Sequence, residues 1–285
     1  GEYERTSTTV VNTYVLPVVA RYLATLQADL AAAGIAAPLR LMQSNGGLTT
    51  AAEAARLPMN ILESGPAAGA VGARAVSERL GLPDMISFDM GGTTAKASLI
   101  EGGRYSRSPE YQVGGGVIMG SRLLTGAGYL LKVPAIDLAE VGAGGGSLVR
   151  IDAGGAMKVG PQSAGAAPGP VCYGAGGSVP TVTDANVVLG YLNSGGVAGG
   201  GVAVDAAAAR AAIADQVARP LGLDPVAAAF GIHRLANAAM MRALKTVSTY
   251  RGRDPRDFVL FAFGGAGPAH GPYRPQPRRR CSSVR

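Results

Sequence analysis

Residues 86–99 read ISFDMGGTTAKASL, and the interpretation of this stretch decides the fold. An apolar run ends on one carboxylate, Asp89; Gly91, Gly92, Thr93 and Thr94 follow, and a second apolar run begins after Lys96. Alternation puts Ile86 and Phe88 on one face and Ser87 and Asp89 on the other, so the pattern predicts strand, tight turn, strand. "EGGRY" at 101–105 supplies a second turn, and an antiparallel meander is expected from 86 to about 110. A carboxylate at a strand end can hold a hydrated magnesium ion. The two glycines let backbone N–H groups surround a phosphate, and the threonine hydroxyls add donors without charge. Lys96 either offsets phosphate charge or faces solvent. The same residues also suit a plain hairpin in which Asp89 caps the Gly-Gly backbone.

Working outward, Val15, Val19, Tyr22, Leu23, Leu26 and Leu30 predict a helix over Thr9–Ala33, with Pro17 bending it or delaying its start. "LRLMQS" (39–44) reads as a strand delivering Ser44, Asn45 and two glycines to a loop. Thr50 and Glu53 make a capping box, and "MNILES" (59–64) reads as another strand. Pro66 opens a helix that runs to Leu80 and stops at Gly81. Between about 112 and 180 only "GSLVRIDAGGAMKVG" (146–160) is clear, as two strands across an Ala-Gly-Gly turn. "TVTDANVVLGYL" (181–192) predicts a short helix capped by Thr183 or Asp184. Asp205 caps an alanine-rich helix, and Asp224-Pro225 opens a long one through Val247. "DFVLFAF" (257–263) is a buried strand running into "GGAGPAHG", where a helix should start. Strands and helices interleave, with hairpins as well as crossovers, which is an α/β domain with a mixed sheet.

Composition narrows the field. The 285 residues are 47% hydrophobic and 16% charged, enough apolar material for a packed core. No uninterrupted apolar run reaches the ~18 residues of a membrane span, and no basic-then-apolar leader opens the chain. We therefore expect no membrane partner and a cytoplasmic location, with Cys172 and Cys281 as free thiols. The net charge of +7 falls to +2 once Arg274, Arg278, Arg279, Arg280 and Arg285 of the last stretch are set aside. Nothing else resembles a nucleic-acid module, so no specific nucleic-acid partner is expected. Forty-three glycines, about twice ordinary usage, mark many tight turns, some of them close to a ligand.

A second strand-to-glycine-turn-to-helix element, "FGGAGPAHG" (263–271), has the shape that seats nucleotides at strand ends. Neither G-x-G-x-x-G nor a P-loop occurs. His270, in this turn, and His233, on a helix face, read as structural residues. Ser64 lies in no nucleophile elbow. Asp184 and Asn186 are candidates for a metal or substrate, with helix capping the alternative, and Glu63 before "SGP" is a further candidate.

Taken together, "EYERTSTTVVNTYV", "LMQSNGGL", "ILESGPAAGAVGA", "ISFDMGGTTAKASLI", "VGAGGGSLVRIDAGGAMKVGPQSAGAAPGPVCYG", "PTVTDANVVLGYL" and "DPRDFVLFAFGGAGPAHG" resemble the hydantoinase A / 5-oxoprolinase family. They occur in the family's order over nearly the whole chain. The resemblance implies an actin-like ATPase fold of ribonuclease-H-like lobes, with 1–271 as the second lobe and 272–285 as a basic tail. It implies ATP-dependent opening of a cyclic amide such as a hydantoin or 5-oxoproline, through phosphorylation of the substrate. Carboxylation of a ketone, or an inactive lobe that only binds a partner, are its alternatives. By this resemblance Asp89 acts in catalysis and toward magnesium, and the loop to Thr94 takes phosphate. Gly264, Gly265 and Gly267 lie beneath the adenosine of ATP, and Asn45, Glu63, Asp184 and Asn186 are available to substrate. The implied partners are an amino-terminal lobe and a B-type subunit or domain.

Three departures stand out. D-x-G-G-T occurs once, so half of the family's phosphate cradle is absent from this sequence. Lys96 stands where many members carry an acid. After Gly271 the family continues with an apolar helix and strand, whereas this chain gives "PYRPQPRRRCSSVR", as expected of a shifted reading frame or a piece of a longer protein.

Overall fold

Helix α1, Glu2–Ala32, begins seven residues before the expected start. Glu2 and Glu4 in its first turn suit the positive end of the helix dipole. Thr8, Thr9 and Thr13 turn their hydroxyls back onto the carbonyls of Glu4, Arg5 and Thr9 at 2.7, 2.9 and 2.9 Å, so the threonine-rich start does not compete with the helix. Pro17 lies inside α1 and neither delays nor ends it, because long helical segments on both sides offset one missing N–H. The computed structural model describes residues 1–113, 128–195, 201–271 and 282–283. The "VGGG" cluster from 114 onward, most of "GGVAGGG", Cys281 and the tail arginines lie outside them.

Two compact units divide the chain, residues 1–87 with 98–139 and residues 88–97 with 140–285. No linker in the sequence marks this division, because the chain passes from one unit to the other inside strands.

In the first unit, β1 (Arg40–Met42) and β2 (Leu48–Thr50) form an antiparallel hairpin with Arg40 opposite Thr50. Thr50 caps α2 (Ala51–Arg56) by accepting from the Glu53 N–H at 3.2 Å. The reciprocal half of the expected capping box is missing, since the Glu53 carboxylate pairs with Arg56 at 2.7 Å. "MNILES" is not a strand: Pro58–Ile61 is a 3-10 turn, and α3 (Ser64–Leu80) begins directly after Glu63. Pro58 starts the turn, and the Asn60 carbonyl accepts from the Ser44 N–H at 2.7 Å, which ties this backbone to a loop rather than a ladder. α3 ends as expected at Gly81, with φ 63°. Its buried Ala67 and Ala70 pack on Ile136 and Leu138.

Strands β3 (Met85–Met90) and β4 (Ala95–Glu101) are sheet neighbours joined by a four-residue turn, which permits only antiparallel pairing. β5 (Arg104–Tyr105) adds to β4 antiparallel and ends the meander. β6 (Arg107–Ser108) and β7 (Tyr111–Val113) pair instead with β9 (Ala135–Ile136) and β8 (Tyr129–Leu131). Val11 of α1, Tyr111, Leu131, Val133 and Ala135 share one apolar cluster. Among the described residues α1 alone meets the length and composition of a membrane span, at mean hydropathy 1.2. That is a match of length and composition only; within the described residues α1 buries Thr8, Val11 and Leu23 and leaves Val10, Tyr14, Val18 and Tyr22 exposed.

In the second unit the sheet order is β10 (Ala139–Val141), β4, β3, β13 (Val259–Phe263), β14 (Ser282–Ser283). β13 and β14 run parallel, so the sheet is mixed. The central strand β3 is buried at every position except Asp89, which is half-buried. β11 (Ser147–Ile151) and β12 (Met157–Ser163) form the expected hairpin. Helix α4 (Val182–Val188) is capped by Thr181, not by Thr183 or Asp184, and Asp184 completes a capping box as the third helical residue. α5 (Ala206–Ile213), capped by Asp205, runs through a π-helical turn into α6 (Arg219–Leu221). Asp224 caps α7 (Pro225–Val247), and the turn after β13 leads into the short α8 (Gly267–His270).

Candidate functional site

Strand β3 ends at Asp89 and Met90 because the next two residues, Gly91 and Gly92, leave the ladder; the Gly91 N–H then donates to the Thr94 carbonyl at 3.1 Å and closes the turn. Gly92 and Thr93 are exposed. Among the described residues no hydrogen-bond donor reaches the Asp89 carboxylate. Partial burial raises its pKa, and the nearby Lys96 ammonium opposes the rise. Lys96 is itself paired with Glu140 at 3.3 Å, so it neither faces solvent alone nor stands free for a phosphate.

Two further glycine loops close on this turn within the second unit. The Gly145 and Gly146 N–H groups donate to the Gly91 and Gly92 carbonyls at 3.0 and 2.6 Å. A Cβ on Gly144 would lie 2.5 Å from the Gly92 oxygen, so only glycine permits the approach. From β13, Gly264 at φ 84° comes so close that a Cβ would strike the Asp89 carboxylate and lie 2.6 Å from the Met90 oxygen. The Ala266 N–H donates to that Met90 oxygen at 3.0 Å. Gly267 packs more loosely, with a Cβ position 3.6 Å from the Met90 nitrogen, and Gly265 has open space. The Thr93 and Ser163 hydroxyls are 3.4 Å apart at the rim.

Asp89, Gly91, Gly92, Thr93 and Thr94 share one turn, on which Gly264 and Gly267 pack, with Gly265 between them in open space. Gly144–Gly146 and Ser163 were missed; the "GAGGGS" cluster was visible, but its partner was not. Asp184 is fully buried, and its oxygens accept from the N–H groups of Val171, Cys172 and Thr181 and from the Thr181 hydroxyl. It is a backbone clamp rather than an open ligand. Asn186 is 1% exposed and lies between two histidines. In the first unit, Asn45 Oδ1 accepts from the Gly47 N–H at 2.8 Å, and the Glu63 N–H donates to Ser44 Oγ at 3.1 Å. Burial, reinforced by the Glu63 charge, pushes the Tyr111 hydroxyl up to about 12 against the opposing Ser44 hydrogen bond.

Among the described residues the Asp89 carboxylate has no hydrogen-bond donor and lies just before an exposed turn with two threonines, a donor type that would suit a hydrated magnesium ion. Among the described residues no group of three or more His, Cys, Asp or Glu side chains forms a metal cage.

The described geometry has counterparts. The family model for hydantoinase/oxoprolinase matches residues 5–275. An uncharacterised protein of Methanocaldococcus jannaschii is 48% identical over 270 residues, 95% of this chain and 39% of that protein. The caprolactamase subunit alpha of Pseudomonas jessenii is 43% identical over 269 residues, 94% of this chain and 37% of the subunit. The solved structure of that ATP-dependent caprolactamase superposes with a TM-score of 0.70, covering 93% of this chain and 37% of that one. A nucleotide-free structure of acetone carboxylase, described as ATP-dependent, superposes with a TM-score of 0.79 at 32% identity over 95% of this chain and 36% of that one. The chain spans less than two fifths of the length of these relatives. Its α/β fold with a mixed sheet is of the actin-like ATPase type. A match that runs through the Asp89 turn and both glycine loops packed on it leaves one assignment: the chain belongs to the hydantoinase/oxoprolinase family.

Proposed function

We propose that this chain supplies the nucleotide-binding lobe of an enzyme that opens a cyclic amide of the hydantoin or 5-oxoproline type at the expense of ATP. The observation that carries the reading is the packing of the 144–146 glycine loop on Gly91 and Gly92 and of the 264–267 loop on Asp89 and Met90, around the turn that follows the half-buried Asp89 carboxylate. The exposed backbone of Gly92 and Thr93 and the Thr93 and Thr94 hydroxyls suit phosphate oxygens. Asp89 suits magnesium, whose chemistry there is to neutralise phosphate charge. In the proposed reaction the γ-phosphoryl group moves to the amide oxygen and ADP leaves. Water then adds at the amide carbon and the C–N bond breaks with a proton going to nitrogen, leaving an acyl phosphate; a second water cleaves that bond to give the carboxylate and free phosphate. Asp89 positions and stabilises charge in this scheme; Lys96 with Glu140 sets the field around it.

The relatives' names include a subunit, and we extend this to a B-type partner subunit or domain and to the lobe that would complete the cleft. Residues 1–271 form the second lobe in this reading. A cytoplasmic setting agrees with the free buried thiol of Cys172. A second reading, carboxylation of a ketone, is favoured by the higher TM-score to acetone carboxylase, 0.79 against 0.70.

Calorimetric titration with Mg-ATP, beside Asp89→Ala, tests the nucleotide site. We expect saturable binding that falls at least about tenfold in the variant, as loss of a charge-assisted contact would give. Equal binding by both proteins overturns the assignment of Asp89. Phosphate release from ATP in the presence of 5-oxoproline, hydantoin, caprolactam or acetone with bicarbonate, with the partner chain added, separates the two chemistries.

A further inference from the structure

Helix α4 touches both glycine turns of the site, through residues one helical turn apart. Thr183 donates its N–H and its hydroxyl to the Gly145 carbonyl at 2.7 and 2.9 Å, and Gly145 in turn holds Gly91. Three residues on, on the same face of the helix, Asn186 places its amide between two buried imidazoles. Its Nδ2 lies 3.0 Å from Nε2 of His270, and its Oδ1 lies 3.0 Å from Nδ1 of His233. The other nitrogen of His270, Nδ1, is 2.7 Å from Oδ1 of Asn237. The two rings stack at 4.4 Å and 13°, and Tyr191 meets His233 edge-on at 5.0 Å.

His270 closes α8, which has four residues and follows the 264–266 turn directly. A helix of one turn cannot hold its own position, so its placement must come from its neighbours. An amide that donates from Nδ2 requires His270 Nε2 to accept, which leaves the ring proton on Nδ1 facing Asn237. The same amide accepts from the Nδ1 proton of His233. The arrangement satisfies both faces of Asn186 and selects one neutral tautomer of His270. Burial first, then the neighbouring His233, lower the pKa of His270, and burial lowers that of His233.

We propose that Asn186 is a positioning residue: α4 acts as a common post that holds the phosphate turn through Thr183 and the 264–267 turn through Asn186 and His270. The proposal rests on the ATP reading for its consequence but not for its geometry. Asn186 and Asp184 are both buried, and their polar atoms are engaged inside the fold.

The test reads the turn with and without nucleotide. In the full chain, nitrogen-detected NMR of the imidazoles should find His270 neutral with its proton on Nδ1, unchanged down to about pH 5. Titration of His270 between about pH 6 and 7 would overturn the proposal. Asn186→Leu, close in shape but unable to hydrogen-bond, should speed amide exchange at residues 264–267 by about tenfold or more while strand β3 stays protected. Mg-ATP binding should weaken by a similar factor. His270→Gln, which can still meet Asn186, should restore slow exchange relative to His270→Leu; this pair carries the decision if Asn186→Leu does not fold. Unchanged exchange at 264–267 in the folded leucine variants sinks the proposal. Absence of Mg-ATP binding by the unaltered chain sinks the ATP reading instead, and the exchange and tautomer results still decide the role of Asn186.

Discussion

Asp89 is unusual in being half-buried without a donor among the described residues. Its raised pKa means that ionisation costs the fold free energy. For a group raised in the folded state, the stabilising contribution is present below the unfolded value and lost as pH rises through the folded value, so at neutral pH the carboxylate is a net burden. Asp89→Asn should therefore raise the melting temperature of the ligand-free chain in scanning calorimetry while weakening Mg-ATP binding. A lowered melting temperature would show that the carboxylate has a stabilising partner. Stability given up at a site that binds charge is a common pattern.

At the scale of elements, the second unit keeps three glycine loops within backbone contact, and each loop ends or begins a strand. Gly144 carries the closest approach, with a Cβ position 2.5 Å from Gly92 O and 2.6 Å from Gly92 C. Gly144→Ala should destabilise the chain by about 1–3 kcal/mol in urea denaturation, because backbone atoms on both sides must shift. It should also weaken Mg-ATP binding. Gly65→Ala, where nothing lies within 4 Å, serves as the control and should be neutral or slightly stabilising. Element ends were largely legible beforehand: Asp205, Asp224 and Gly81 cap as their residue types require. The 3-10 turn at Pro58–Ile61 was not, because six apolar and polar residues without a clear period suit a strand equally well. The cap at Thr181 was not either, since Thr181, Thr183 and Asp184 are all good caps by chemistry and the bridge of Leu148 to Thr181 decides among them.

For the molecule as a whole, the buried histidine pair predicts an acid limit to stability. Burial, with His233 alongside, lowers the pKa of His270 from 6.5 to about 3. A group lowered in the folded state contributes stability that is fully present above 6.5 and is lost as pH falls toward about 3. The loss across that window is on the order of 4 kcal/mol. Denaturation curves between pH 7 and 4 should show falling stability, with a shallower slope in His270→Gln. An equal slope in both proteins would place the acid sensitivity elsewhere.

By itself the sequence determined the interleaved strands and helices, the Asp89 turn, the second glycine turn after β13 and the family, because periodicity, capping and glycine placement are local and each leaves a mark in consecutive residues. Tertiary structure alone decided that Gly144–Gly146 packs on Gly91 and Gly92, that Lys96 pairs with Glu140, and that Asn186 joins His233 to His270. Those partners are 44 to 84 residues apart, and some meet through backbone atoms of glycine, which have no side chain to announce a contact. The division into two units was equally hidden, because the crossing points lie inside continuous strands rather than in linkers. Local chemistry writes the turns, and long-range packing decides which turns become one site.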